Sequence, residues 1–164
     1  MYDKMATRTA VAQRERLVVV PVLFTKERYR QDEMDRVVLP EGTIRATLRQ
    51  STLYYQHNEE FRNDLWNNAC AWTSDKGLDT SGFKEILPNG DFKAISEGAF
   101  DKLSPENRSY HWEGSDFVAV DGYFCGDKSL LVVARVGAVD AARIAYVRVE
   151  DVERAAKAAR RQKP

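Results

Sequence analysis

The stretch Asp116–Val149 constrains the fold more than any other part of the chain. Three runs rich in β-branched and aromatic residues are separated by turn residues, and the last run leads directly into a helical pattern over Glu150–Arg161. β-Branched and aromatic residues favour strands, and a glycine beside an aspartate favours a tight turn. We therefore expect a hairpin, a third strand over Arg143–Val149 and a C-terminal helix.

Two turn signals lie in this stretch, and only one of them can reverse a regular hairpin. If Gly126-Asp127 forms the turn, Phe117–Cys125 pairs with Lys128–Val136 and the earlier glycine forms a bulge. If Asp121-Gly122 forms the turn, the first strand is short. We favour the longer hairpin, because the second strand then has a partner of similar length.

The N-terminal part of the chain adds further strands. Leu17–Phe24 is a β run that contains Pro21, which predicts an edge strand, a bulged strand or two short pieces, because proline cannot donate to a sheet. The charged residues 25–36 are typical of either a solvated helix capped by Thr25 or a charged loop. Thr43–Arg49 alternates apolar and polar residues, which favours a half-buried strand over the start of a helix.

A long helix is predicted over Leu53–Trp72, because its apolar residues fall in one sector at helical spacing. Ser51 or Thr52 can cap its start. The next feature is the turn Pro88-Asn89-Gly90, which predicts a short hairpin between the apolar pieces on either side of it. A short helix capped by Ser96 follows the hairpin.

Together these elements predict one α+β domain. Its sheet is mostly antiparallel with about five to seven strands, and the domain has two or three helices including the C-terminal one. The Leu53–Trp72 and Glu150–Arg161 helices are expected to cover one face of the sheet. The content of 43% apolar and 30% charged residues is ordinary for a folded domain. Residues 1–14 are expected to form a flexible N-terminal segment, with the domain spanning residues 15–164.

Composition excludes several classes of protein. The formal net charge is zero, which does not favour a dedicated nucleic-acid binder. The two cysteines, Cys70 and Cys125, exclude a disulfide scaffold and a cysteine-rich zinc site. The longest apolar run has eight residues, too few to cross a membrane, and the N-terminus has no secretory signal. We expect a soluble, cytoplasmic protein.

The two histidines provide one candidate site. His57 lies near Glu60 and Asp64 on the predicted helix, and acidic residues follow His111. If His57, Asp64 and His111 meet, they could bind a divalent metal or form a histidine–carboxylate pair for proton transfer. Such residues more often form a solvated helix border. Cys125 could act as a nucleophile, although an isolated cysteine in a strand usually packs in the core.

Basic residues provide a second candidate, a nucleic-acid surface. Arg45 and Arg49 share the polar face of one predicted strand, and the remaining candidates lie on another strand and on the C-terminal helix: Arg143, Arg148, Lys157, Arg160 and Arg161. Arginine and lysine on such surfaces contact phosphates, and nearby tyrosines can stack on bases. The same residues also keep a strand or helix end soluble.

No phosphate-binding loop or nucleophile elbow occurs in the chain. An enzyme, or a metal-binding protein that uses the histidines, is therefore less favoured than a binding protein. The three tryptophans and seven tyrosines are residue types enriched in protein interfaces. The sequence predicts a small non-catalytic protein that acts through a protein partner or as a homo-oligomer, without a cofactor. Nucleic-acid binding is the alternative.

Overall fold

A computed structural model describes residues 18–68, 70–76, 82–112, 128–132 and 141–161 of the chain. The strands are β1 (Leu23–Phe24), β2 (Thr43–Arg45), β3 (Cys70–Lys76), β4 (Gly82–Ile86), β5 (Phe92–Ala94), β6 (Arg108–Trp112), β7 (Lys128–Val132) and β8 (Arg143–Arg148). The α-helices are α1 (Leu48–His57), α2 (Glu59–Asn68), α3 (Glu97–Lys102) and α4 (Val149–Arg161). Two 3₁₀ helices span Gln31–Arg36 and Pro105–Asn107.

The strands form one sheet in the order β1-β8-β3-β7-β6-β4-β5, and β2 also pairs with β8. Every pair is antiparallel except β3 and β8, which run parallel. This confirms the predicted α+β domain with a mostly antiparallel sheet and a C-terminal helix. The described residues contain eight strands and four α-helices, slightly more than expected, because several elements have only two to six residues.

Of the three alternatives predicted for Leu17–Phe24, the edge strand is confirmed, and it is short. β1 begins two residues after Pro21 and lies at one end of the sheet, where it pairs with β8. The charged segment after it forms neither a full helix nor a plain loop, since Gln31–Arg36 is a 3₁₀ helix. Thr25 does not cap that helix; its hydroxyl accepts a hydrogen bond from the backbone N–H of Ile144 at 3.0 Å.

The predicted strand over Thr43–Arg49 is wrong beyond Arg45, because Thr47 caps α1. The Thr47 hydroxyl accepts from the N–H of Gln50 at 3.0 Å, and the Gln50 side chain accepts from the N–H of Thr47 at 2.9 Å. This reciprocal capping box satisfies two backbone donors that a helix start otherwise leaves free. Leu48 is therefore buried as a helical residue rather than on a strand.

The single helix predicted over Leu53–Trp72 is also wrong. The chain breaks at Asn58, whose backbone is extended and whose side chain accepts from the N–H of Phe61 at 2.8 Å. Asparagine favours such a cap because its short amide reaches the first free N–H groups of a helix. Trp72 lies on β3, and Ser51 and Thr52, predicted as caps, lie inside α1.

The hairpin predicted around Pro88-Asn89-Gly90 is confirmed as β4 and β5. Gly90 has a φ of 86°, and a Cβ at this position would lie 2.5 Å from Cγ of Leu53. Both the left-handed backbone and the close approach of α1 therefore require glycine. The short helix α3 is confirmed as well, with the Ser96 hydroxyl accepting from the N–H of Ala99.

The core lies between one face of the sheet and helices α1 and α2. Its buried residues are Val20, Val22, Ala46, Leu48, Tyr55, Phe61, Leu65, Ala71, Ile86, Leu131, Ala145 and Val147. Val152 and Ala155 of α4 pack against the same cluster, so α4 covers this face of the sheet as predicted. Ala156 and Ala159 of the same helix are exposed. On the opposite face Trp72 is fully buried and donates from Nε1 to the carbonyl of Tyr29 at 2.8 Å.

The C-terminal strands differ partly from the prediction. The third strand and terminal helix are confirmed as β8 and α4. Residues Leu130–Val132 of β7 have β3 on one edge and β6 on the other, so the predicted pairing of this strand with Phe117–Cys125 is wrong for these three residues. Both turn signals, Asp121-Gly122 and Gly126-Asp127, and the predicted flexible segment 1–14 lie outside the described residues.

Among the helices of the described residues, none is both long and apolar enough to cross a membrane.

Candidate binding groove

The edge of the sheet at β1 presents backbone groups outward. Thr25 donates its N–H to the carbonyl of Ile144 at 3.0 Å, and Leu23 lies opposite Tyr146. In an antiparallel ladder, hydrogen-bonded and non-bonded pairs alternate. The N–H and carbonyl of Phe24, the residue between these two pairs, therefore point away from β8. Among the described residues, β1 pairs only with β8.

An aromatic groove of about 470 Å³ runs beside this edge, between β1 and α2. The ring of Phe24 stacks on that of Phe61, with centroids 4.8 Å apart and planes inclined by 16°. Tyr54 meets Phe61 edge to face at 4.9 Å. The groove is lined by Val22, Leu23, Phe24, Thr25, Lys26, Tyr54, Asn58, Glu60, Phe61, Asp64 and Arg143. We call these residues the β1 groove.

Arg143 forms the base of the β1 groove and is held from two directions. Its guanidinium carbon lies 4.0 Å from the centroid of the Phe24 ring, within the range of a cation–π contact. Its Nη1 and Nη2 donate to the two carboxylate oxygens of Asp64 at 3.2 and 3.1 Å. The Arg143 side chain is only 12% exposed, so this bidentate pair compensates a charge that is largely removed from water.

Charged and polar side chains border the aromatic wall. Lys26 follows β1 and Glu60 lies on the first turn of α2, and both are exposed. Asn58 holds the junction of α1 and α2 beside them. The β1 groove therefore combines an apolar wall, one acidic and one basic side chain, and an outward-facing backbone. These are features of sites that bind an extended peptide by strand addition.

A second pocket, of about 530 Å³, lies where β2 and β8 meet the start of α4. Tyr146 is its only aromatic lining residue, and its charged residues are Arg148 and three glutamates, Glu41, Glu150 and Glu153. The start of a helix carries a partial positive charge that these acids already offset. This pocket has neither the stacked rings nor the sheet edge of the β1 groove, so we place the candidate site at the groove.

The predicted nucleic-acid residues lie on four elements, and three of them, Arg45, Arg49 and Arg143, make contacts within the chain. Arg45 on β2 donates to the carbonyl of Met34, whereas Arg49 is on α1, not on a strand, and pairs with Asp91 at 3.0 Å. Arg143 pairs with Asp64. The remaining four candidates are exposed on β8 and α4: Arg148, Lys157, Arg160 and Arg161.

The predicted histidine and carboxylate site is spread over separate elements. His57 is the exposed last residue of α1, and Asp64, on α2, is engaged by Arg143. His111 lies on β6 opposite Gly82 and Leu131. In the described ranges, no group of three or more histidine, cysteine or acidic residues could hold a metal ion. The side chain of His111 lies outside the described residues, so the metal site stays a prediction.

Burial disfavours the ionised forms of two side chains in the described residues, Cys70 and Tyr55. Cys70 is buried at the start of β3, and burial raises the pKa of its thiol to about 11 despite the opposing charges of Arg28 and Arg143. Burial also raises the pKa of the Tyr55 phenol, which donates to the carbonyl of Pro105 at 2.6 Å. Both groups remain protonated at neutral pH. Cys125 lies outside the described residues.

Sequence reasoning missed most of the β1 groove. Tyr54 and Phe61 are two of the apolar residues that share one sector of the predicted helix. Their rings still meet in the structure, although the helix breaks between them. It did not bring Phe24 to Phe61, because the two rings are 37 positions apart in the chain and their contact depends on the sheet. Comparison with known family models, curated proteins and solved structures found no match to this chain.

Proposed function

We propose that this protein is a non-catalytic binding protein that holds an extended segment of a partner protein in the β1 groove. The observation that carries this proposal is the coincidence of an aromatic wall and a sheet edge. The partner segment adds to the sheet beside Phe24, whose N–H and carbonyl pair with its backbone. One of its side chains packs on the rings of Tyr54 and Phe61.

The charges on the rim favour particular partner segments. Glu60 and Lys26 lie on opposite walls of the groove, on α2 and after β1 respectively, and Asp64 and Arg143 neutralise each other. The site therefore favours a segment with an apolar or aromatic side chain near its centre and little net charge. Complementary charges at the rim set orientation and association rate more than affinity.

Selection from a random peptide library displayed on phage tests this proposal, because it requires no known partner. We expect the selected peptides to share an apolar or aromatic position and to shift the amide resonances of residues 22–26 and 54–64 in NMR titration. Tyr54→Ala should weaken them by about tenfold or more, since aromatic anchors carry much of the affinity of an interface. Tyr54 is only partly buried, so this variant should remain folded.

Lys102→Ala on α3, exposed and outside the lining of the groove, is the matched control and should leave peptide binding unchanged. If selected peptides shift residues around Tyr146 and Arg148 instead, the binding site is the second pocket and the proposal is wrong. If the chain pairs with itself through β1, the same resonances shift with protein concentration alone, and the partner is a second copy.

Nucleic-acid binding through the strand arginines and the basic C-terminal helix α4 stays the alternative. Lys157, Arg160 and Arg161 are exposed near the end of that helix. Binding through these residues would fall steeply with salt concentration. The combined Lys157→Ala and Arg160→Ala variant should then weaken binding, whereas Arg45→Ala should affect mainly the contact to Met34.

A further inference from the structure

The second pocket and the aromatic wall of the β1 groove lie on opposite faces of the sheet, and β1 separates them. Leu23 lies directly opposite Tyr146 in the antiparallel register, and both residues line the second pocket. Phe24, the next residue of β1, lies opposite Ala145 and stacks on Phe61 of α2. Leu23 also lines the β1 groove, so the two sites adjoin along the same sheet edge.

The second pocket combines apolar surface with an excess of negative charge. Leu23 and the ring of Tyr146 are half-buried in it. Three exposed glutamates border it: Glu41, Glu150 and Glu153. No hydrogen bond or ion pair engages their carboxylates in the part of the chain that the structure describes. Arg148 and the partial positive charge at the start of α4 leave about one to two negative charges in excess.

A partner segment that adds to β1 as a strand reaches both sites, because its successive side chains point to opposite faces of the sheet. The partner residue opposite Phe24 projects toward the aromatic wall, since directly opposed residues share a face. Its neighbour opposite Leu23 projects to the other face, beside Tyr146. A side chain in the β1 groove and one in the second pocket are therefore an odd number of positions apart.

We propose that the second pocket binds a lysine or arginine side chain of the same partner segment, one or three positions from its aromatic anchor. This inference rests on the proposed function, because the segment has to lie along β1. The long apolar stem of either residue packs on Leu23 and on the ring of Tyr146, and its charged end lies among the glutamates. Arg148 lies two residues beyond Tyr146 on the same face, so the lining also extends to the third position.

The second pocket lies at only one end of β1, so the basic residue belongs on one side of the anchor. Phage selection from a library with a fixed central phenylalanine and randomised flanking positions tests this arrangement. We expect enrichment of lysine and arginine at the first and third positions on one side of the phenylalanine, and none at the second. General attraction between a basic peptide and an acidic surface would enrich basic residues at every position instead.

Binding of the selected peptides, measured by fluorescence polarisation, tests which side chains of the protein are responsible. Replacement of the basic residue of a selected peptide by alanine should weaken binding about two- to fivefold, as is typical of exposed ion pairs. The combined Glu150→Gln and Glu153→Gln variant should bind both peptides equally. Glu97→Gln on α3, an exposed acid outside both linings, is the matched control and should retain the preference.

The outcomes separate this inference from the proposed function. Selected peptides that Tyr54→Ala weakens, but that lack basic residues or carry them at every flanking position, would overturn the inference and leave the proposed function intact. A preference for the basic peptide that survives the combined glutamate variant would do the same. Failure to select any peptide, or selection of peptides insensitive to Tyr54→Ala, would overturn both.

Discussion

The two ends of the sheet each bury a basic side chain, and they treat its charge differently. At the β1 end, Arg143 is 12% exposed and has a bidentate carboxylate partner in Asp64 and an aromatic partner in Phe24. At the β4–β6 end, Lys84 is 7% exposed and faces the uncharged Ser109. The Arg143 charge is compensated within the chain, whereas Lys84 buries its aliphatic stem and its ammonium nitrogen is not among the buried polar atoms without a partner. Similar burial of a basic residue therefore does not mean similar burial of its charge.

Truncation of the aromatic wall at the β1 end should cause the largest loss of folding stability. Phe61 is 6% exposed and packs against both Phe24 and Tyr54. Phe61→Ala should lower the free energy of unfolding by about 3–5 kcal/mol, since it removes a buried ring and leaves a cavity. Urea denaturation measures the change, and Phe61→Leu should lose much less. A loss below about 1 kcal/mol for the alanine variant would show that the wall is not part of the core.

Removal of the carboxylate at the β1 end should have the next largest effect. Asp64→Ala leaves the Arg143 guanidinium mostly buried without its partner, which should cost about 1–3 kcal/mol. The cost stays below that of a fully buried pair, because Asp64 itself is 46% exposed. Denaturant unfolding of Asp64→Ala and Asp64→Asn should show a smaller loss for asparagine, which retains one acceptor. Equal stability of Asp64→Ala and the unaltered chain would contradict the compensation.

Removal of the Lys84 charge at the β4–β6 end should change the free energy of unfolding by a smaller amount and in the opposite direction. Lys84→Met should leave the free energy of unfolding unchanged or raise it by about 1 kcal/mol, since methionine keeps the buried aliphatic stem and removes the cost of holding a charge beside it. Lys93→Met provides the baseline for an exposed lysine. Destabilisation by more than about 2 kcal/mol would mean that Lys84 has a compensating partner within the chain, and the contrast between the ends would disappear.

The smallest expected effect is the pH dependence of stability that comes from Cys70. This residue lies at the start of β3, between the two ends of the sheet. Its folded pKa of about 11 lies above the ordinary value of 9.0, so the folded thiol keeps its proton where the unfolded thiol loses it. This contribution to stability is complete below pH 9.0 and is lost as the pH rises to about 11. In a Cys125→Ser variant, a thiol reagent at pH 8 should react with Cys70 only after unfolding. Rapid reaction of the folded chain would contradict this burial.

The local elements that sequence patterns predicted best are those whose signal lies in neighbouring residues. The β4–β5 hairpin formed around Pro88-Asn89-Gly90, because the turn needs a positive φ that glycine supplies. α3 started after Ser96, and α4 followed from its charge pattern. Predictions failed where two local signals competed. Thr47 and Gln50 close a capping box inside an alternating pattern, and Asn58 interrupts a helical sector.

The sequence by itself determined the class of fold and the absence of familiar catalytic motifs, and it restricted the strand near Pro21 to an edge strand, a bulged strand or two short pieces. Only the tertiary structure decided which side chains meet. Phe24 and Phe61, Arg143 and Asp64, and Lys84 and Ser109 each come from separate elements, and strand register and helix packing bring them together. Local propensity acts over a few residues, whereas these pairs are 25 to 79 positions apart, so nothing in their immediate sequence specifies the contact.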